Sequence, residues 1–505
     1  MLKNRLLANF TFRLKKCFLM LKPRLNLILS VSLFLTVSCV SACSKGKDST
    51  TTNPPPPPVV ADTSNIQVWL TDPNGSILFQ PITNRLVYGT PASNASVIQV
   101  DDTQTFQTID GFGYTLTGGS AELISNMSAD TRAALLQELF AYDKNNIGTS
   151  YLRISIGSSD LDDHVFSYDD LAPGTQQDTT LAGFDLGQDK KWLIPVLKQI
   201  LAINPTIKIL GSPWSPPAWM KSNNSTQAGS LLTKYYNAYA NYFVKYINAM
   251  KAQGITIDAI TIQNEPLNPG NNPSMVMQPD EQAAFIKTAL GPVFAANSIT
   301  TKIILYDHNA DRADYPTTIL SDADAAKYVD GSAFHLYGGN ISALNGVHNA
   351  YPNKNLYFTE QWVGAPGNML GDLDWHIQNV IIGSVNNWCK VALEWNLASD
   401  PALSIHTPGG CTQCLGAVTI STNTVSRNPA YYIIAHAAKF VRPGSIRISS
   451  NTAASLPNAA FKTPDGKTVL LVENTSSGII NFAIGVGSKK ALATLNPGAV
   501  ATYVW

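Results

Sequence analysis

Two textures alternate between Gln107 and Phe440. Short apolar runs of strand length come first: GFGYTLT, TSYLRISIG, KILGSPWS, DAITIQNEP, KIILYDHN, GSAFHLYGG, NLYFTEQW and KVALEWNLA. Between them lie longer segments such as DTRAALLQELF and TKYYNAYANYFVKYINAMKAQG. There apolar residues recur at the spacing of a helix with one buried face. Eight strand-then-helix units over about 330 residues predict a (β/α)8 TIM barrel spanning 107–440. A doubly wound open sheet is the alternative, but no glycine-rich nucleotide fingerprint follows any of the runs.

On both sides the pattern shortens to β-strand length. IQVWLTDPNGSILFQ, RLVYGT and SVIQV precede the barrel. SIRISSN, AAFKTPDGKTVLLVENTSSGIINFAIGV and KKALATLNPGAVATYVW follow it, with PDG and PG turns suited to hairpins. The simplest assembly joins 65–106 to 441–505 in one β-sandwich, with the α/β barrel inserted between them.

The first residues read as targeting, not fold. Lys15, Lys16, Lys22 and Arg24 precede LNLILSVSLFLTVSCVSAC, a basic region, an apolar region and small residues before cysteine. VSAC, ending at Cys43, resembles a bacterial lipobox, and TVSC, ending at Cys39, is its competitor. Residues 1–43 are therefore read as a lipoprotein signal peptide with Cys43 lipidated. An ordinary signal peptide or an anchor is the alternative. Residues 44–64, with five consecutive prolines, read as an extended tether. The expected location is outside the cytoplasm, lipid-anchored to a bacterial membrane.

Composition narrows the function. Lys+Arg and Asp+Glu both number 35, so the formal net charge is zero and no basic face is available for nucleic acid. Beyond the signal remain Cys43, Cys389, Cys411 and Cys414. Cys411 and Cys414 form a CxxC with no second pair to complete a zinc site. In an exported protein this spacing favours a small loop disulfide over a redox motif.

Polar residues gather at the ends of the predicted strands: Asp160, Trp214, Asn264 and Glu265, Asp307 and His308, His335 and Tyr337, Glu360, then Glu394, Trp395 and Asn396. In a barrel all these ends open on one face, where active sites are built. Two carboxylates facing each other there, with aromatics around them, suit glycoside hydrolysis: one protonates the leaving oxygen and the other attacks the anomeric carbon. Asn264 is placed for a sugar hydroxyl, and Trp214 and Trp395 for the sugar's C–H face. Asp307 and His308 are further contact candidates, and Trp219 is as readily core. Glu394 is read as orienting its neighbours. No metal or organic cofactor is implied.

These stretches resemble glycoside hydrolase family 30, the glucosylceramidase and β-1,6-glucanase family. The resemblance rests on DGFGYTLTGGSA, LRISIGSSD, GSPWSPPAWMKSN, QNEP, FHLY, FTEQW, LEWNLASDP and YYIIAHAAKFVRPGSIRI, in that order. It implies a retaining hydrolase with Glu360 as nucleophile and Glu265 as acid/base. Asp160, Trp214, Asn264, Tyr337, Trp395 and Asn396 would bind substrate. Arg153 would support the nucleophile by lowering its pKa, and His335 would be a second supporting group. Tyr114, Leu116, Thr117 and Leu336 depart from the pattern of many relatives. Together with the CxxC loop they point to a β-glucan, β-1,6-linked, ahead of a ceramide glycoside or xylan. A glycan-binding lipoprotein without catalysis is the reading from another class.

Overall fold

The computed structural model describes residues 62–505 apart from 173, 174 and 176. The signal peptide, Cys43 and nearly all of the proline-rich tether lie outside the described residues.

Eight parallel strands close into a barrel. In chain order they are Gly111–Thr115, Tyr151–Ser155, Lys208–Ser212, Ala259–Thr261, Lys302–Asn309, Val329–His335, Asn355–Glu360 and Cys389–Asn396. The eighth pairs with the first and closes the ring. Helices cover the outside. The longest, Tyr236–Ala252, buries Tyr239, Tyr242, Phe243, Tyr246 and Met250, the three- and four-residue stripe expected of a helix packed on one face.

The period of two along a strand explains the inside of the barrel. Tyr151, Leu210, Ala259, Ala333 and Tyr357 belong to one buried apolar layer. Two residues later, on the same side of each strand, stand Arg153, Ser212, Thr261, His335 and Thr359, all buried. A polar layer therefore sits directly on an apolar plug. On the fifth strand Tyr306 and Asp307 have positive φ (70° and 65°), and the pairing slips between Tyr306 and His308. The slip brings Asp307 into the polar layer, among Arg153, Ser212 and Thr261.

Both flanks of the barrel join one nine-stranded sheet. Its order is Ile77–Ile82, Gln67–Asp72, Val500–Val504, Thr468–Glu473, Asn458–Lys462, Ile446–Ser450, Val97–Thr108, Ile480–Val486, Lys489–Leu495. Val97–Thr108 pairs antiparallel with Ile446–Ser450 at one end and parallel with Ile480–Val486 at the other. It continues past the 106/107 boundary read from the sequence, because its last residues still have a ladder partner in Ile446. The buried core of this sheet includes Ile98, Leu470, Phe482 and Tyr503. The barrel's last helix, Pro429–Ala438, is fixed to the sheet by buried His436, whose ring contacts the hydroxyls of Thr502 (3.0 Å) and Thr71 (2.8 Å).

Candidate active site

Arg153 is the hub of the polar layer. Its Nη1 donates to Glu360 Oε2 at 2.6 Å. Its Nη2 donates to Asn264 Oδ1 at 2.6 Å, Asp307 Oδ2 at 2.8 Å and Ser212 Oγ at 3.2 Å. The guanidinium also lies 4.8 Å from the Trp214 ring centroid and 5.7 Å from that of Trp395. Asp307 accepts further bonds from Thr261 Oγ1 (2.7 Å) and Thr359 Oγ1 (2.6 Å). One fully buried cation is thus tied to residues on or just after five other barrel strands.

The two glutamates are held differently. Glu360 ends the seventh strand, and its Oε1 accepts from the Tyr337 hydroxyl at 3.0 Å while Arg153 takes Oε2. Glu265 follows the short fourth strand with φ +45°, in the left-handed region. Such a conformation costs a non-glycine residue about 1–3 kcal/mol and needs support from its surroundings. Support comes from the Glu265 N–H, which donates to the Asp307 carbonyl at 3.0 Å, and from the Glu265 carbonyl, which accepts from Asn268 N–H at 2.9 Å. Glu265 Oε2 accepts from the side-chain amides of Asn268 (2.7 Å) and Asn271 (3.4 Å), and Oε1 faces His335 Nδ1 at 3.2 Å. His335 Nε2 faces Asp307 Oδ1 at 3.1 Å. One oxygen of Glu265, one nitrogen of His335 and one oxygen of Glu360 lie within 4.8 Å of one another.

Burial and charge set the protonation of this cluster. Burial pushes Asp307 up, but the charge of Arg153, the bond and charge of His335 and the bond from Thr359 together hold it well below the usual carboxylate range. Burial works against a charged His335, yet the charge of Glu360 and the bonds to Asp307 and Glu265 raise it to about 9. Glu265, against burial, is held down to about 2 by the bond and charge of His335. His335 and Glu265 therefore carry one proton between them over a wide pH range. Glu360 was expected to be lowered by Arg153. Burial is the larger effect and leaves it raised, although His335 and Arg153 both pull it down. Burial, then the charge of Glu360, lifts Asp160 to about 7.

The cluster opens into a cleft of about 500 Å³ lined by Asp160, Glu265, His308, Tyr337, Glu360 and residues of several loops. Trp214, Trp395, Asn396 and Asp307 are placed otherwise than the sequence suggests. Trp214 and Trp395 border the cleft but are 1% and 3% exposed, packed on each other at 5.4 Å. Their faces are covered by one another and by Arg153, so they brace the arginine and offer no free stacking platform. Asn396 has Oδ1 bonded to Ser120 and Thr117 hydroxyls and Nδ2 bonded to the Cys414 carbonyl, which makes it a tie between loops. Asp307 lies below the cleft, saturated by Arg153, His335 and hydroxyls. Trp219 donates its Nε1–H to the Asp169 carbonyl and belongs to the core. Asn264 is buried with Oδ1 on Arg153, and its Nδ2 has no protein partner among the described residues. Glu394 pairs with His376 Nδ1 at 2.7 Å and does not line the cleft.

Sequence reading missed Trp362, Leu267, Asn268 and Asn271, which line the cleft from loops, and Asn309, which lines it from the end of the fifth strand. Trp362 follows Glu360 by two residues, lines the cleft and is half-buried, so its ring is more accessible than those of the two deeper tryptophans. Its position in FTEQW was the available signal. Cys411 and Cys414 are joined by a disulfide, and both cysteines line the same cleft.

Glu265, His335 and Glu360 could in principle hold a cation. The Arg153 guanidinium 2.6 Å from Glu360 opposes a second positive charge there, and His335 Nδ1 is already engaged with Glu265, so the set fits a metal poorly.

Residues 109–441 match the glycosyl hydrolase family 30 TIM-barrel domain, and residues 444–503 match the glycosyl hydrolase family 30 beta sandwich domain. The chain is 35% identical over 447 residues to the endo-1,6-beta-D-glucanase neg1 of Aspergillus fumigatus, covering 82% of this chain and 89% of that one. It is 30% identical over 430 residues to the lysosomal acid glucosylceramidase of Mus musculus, covering 79% and 81%. A solved endo-beta1,6-glucanase superposes with a TM-score of 0.81 at 36% identity, over 87% of this chain and 99% of that one. With barrel and sandwich matched in order, and paired glutamates at the ends of the fourth and seventh strands, the chain belongs to glycosyl hydrolase family 30.

Proposed function

We propose that the protein is a retaining endo-β-1,6-glucanase in which Glu360 is the nucleophile and Glu265 the acid/base. The spacing of the glutamates supports this reading most: their nearest oxygens lie within 4.8 Å, the close pairing of retaining enzymes and too tight for the intervening water of an inverting one. Of the two, Glu360 has the groups that stabilise an attacking carboxylate, a guanidinium and a phenol. Glu265 has the groups that manage a proton, His335 and two amides.

In the first step Glu360 attacks the anomeric carbon, the glycosidic C–O bond breaks, and the leaving oxygen takes the proton shared by Glu265 and His335. The product is a glycosyl ester on Glu360. Esterification removes the negative charge of Glu360 and favours ionised Glu265, the form that accepts a proton from water. That water attacks the same carbon, the ester opens, and two inversions give net retention.

Both the fungal relative and the solved structure named above are β-1,6-glucanases, which supports that linkage. The amides of Asn268, Asn271 and Asn309 line the cleft and suit a sugar as leaving group better than a lipid. The signal-like N-terminus and Cys43 support export with a lipid anchor, which labelling with a palmitate analogue would test through its loss in Cys43→Ala.

Hydrolysis of β-1,6-glucan, β-1,3-glucan, xylan and glucosylceramide by wild type and Glu360→Gln tests the function. Glucose oligomers should appear from β-1,6-glucan with wild type, and Glu360→Gln should lose on the order of 10⁴-fold or more in rate. Cleavage of another substrate would replace the linkage and keep the mechanism. A fully active Glu360→Gln would remove Glu360 from the nucleophile's role. Binding of glycan without hydrolysis by wild type would favour a surface glycan-binding protein.

A further inference from the structure

The segment after the eighth barrel strand folds back over the cleft, and its disulfide is packed into the site. Cys414 is buried with Leu161, Trp214 and Trp395. Its carbonyl accepts from Asn396 Nδ2 at 3.1 Å, and Cys414–Leu415 pairs with Val363–Gly364, just beyond Glu360. Across the disulfide, the Cys411 N–H donates to Asp160 Oδ2 at 3.2 Å. The same segment holds the Asp160 backbone, whose carbonyl accepts from Thr407 N–H at 2.9 Å. A Cβ at Gly410 would lie 2.4 Å from the Asp160 carbonyl oxygen, so the segment approaches as closely as glycine permits.

Asp160 is a cleft carboxylate with no cation paired to it among the described residues. Glu360 and Glu265 both oppose its charge, and the Cys411 N–H is among the few groups that favour the ionised form. That N–H is useful only if the four-residue loop stays in place. The cross-link fixes the loop by tying Cys411, at the cleft surface, to Cys414, in the tryptophan cluster.

We propose that the Cys411–Cys414 disulfide is a positioning element of the sugar-binding subsite, holding the Cys411 N–H that aims Asp160 at a sugar hydroxyl. The inference rests on the carbohydrate reading given above and deepens it. Neither sulfur approaches the reacting carbon. The bond acts on sugar affinity in ground state and transition state alike, so its loss appears in KM and leaves kcat nearly intact.

The test is steady-state kinetics on β-1,6-gluco-oligosaccharides and on an aryl β-glucoside. Wild type is compared with Cys411→Ala/Cys414→Ala, Asp160→Asn and the triple variant. Wild type reduced with dithiothreitol and capped with iodoacetamide is a further arm, and thermal unfolding checks that each protein is folded. Loss of a charge-assisted contact predicts a KM raised roughly tenfold in the double variant and the reduced enzyme, with kcat within about threefold. The triple variant should be no worse than Asp160→Asn alone, because the disulfide acts through that aspartate. An unchanged KM in the folded double variant overturns the inference, as do additive losses in the triple variant. A wild type that cleaves the aryl glucoside but not the oligosaccharide defeats the linkage reading only, and the cycle is then decided on the aryl KM. A wild type inactive on both defeats the carbohydrate reading and this inference with it.

Discussion

At the barrel end where the strands begin, Asp110 meets Lys208 at 2.7 Å and Lys390 at 3.6 Å, and Asp330 meets Lys302 at 3.4 Å and the Tyr357 hydroxyl at 2.5 Å. The lysines are part-exposed, and three of them serve two aspartates. At the end where the strands finish, Glu265, Asp307 and Glu360 share one arginine and one histidine, all buried. Asp160 adds a fourth carboxyl, so acids outnumber bases. The residue types are similar at the two ends, but solvent and balance differ. A part-exposed ring with cations to spare contributes a little stability. A dry ring short of cations keeps protons in dispute, which acid/base chemistry requires.

Substitutions at the two ends should separate these roles. Glu265→Ala should cost about 10²–10⁴-fold in kcat/KM on glucan but much less on aryl glycosides whose leaving group needs no proton. Equal losses on both substrates would deny it the acid's role. Arg153→Met leaves buried Asp307 and Glu360 without their cation and should destabilise the fold by about 3–5 kcal/mol in denaturant titration. A loss under a kilocalorie would mean that other groups hold the ring together.

His335 should shift a pH profile more than a stability. Its pKa is raised from 6.5 to about 9, so its stabilising contribution is complete below 6.5 and disappears as pH rises through about 9. The proton it shares with Glu265 should set the basic limb of kcat/KM, a property of the pair. That limb should move to lower pH in His335→Gln, and a limb that stays put would separate His335 from the proton. The smallest effect belongs to the other end. Asp110→Asn should lower stability by about 1 kcal/mol or less, with kcat/KM unchanged.

The barrel and the residues on its strands were legible because strand ends carry a local signature: apolar alternation, then abrupt polarity. Arg153, Glu265, Tyr337 and Glu360 all meet in the cleft cluster for that reason. Burial of a large side chain is decided elsewhere. Trp214 and Trp395 look like sugar platforms in one dimension, and only the closed barrel shows that they cover one another. The loop residues failed for a related reason. Asn268, Asn271 and Cys411 act on Glu265 and Asp160 through loop paths that have no periodicity to read. The CxxC was legible as a disulfide, but its place against an aspartate 251 residues earlier in the chain was not.

The nine-stranded sheet has a consequence for how the chain is made. Gln67–Asp72 emerges early from the ribosome with only its hairpin neighbour Ile77–Ile82 to pair with. Its other partner, Val500–Val504, is synthesised only after the whole barrel. Throughout translation of the barrel, one edge of the early hairpin is an open template for any passing strand, its own late partner excepted. The sandwich edge therefore cannot be sealed before the whole barrel has been translated, so this topology makes closure of the sandwich wait on the barrel.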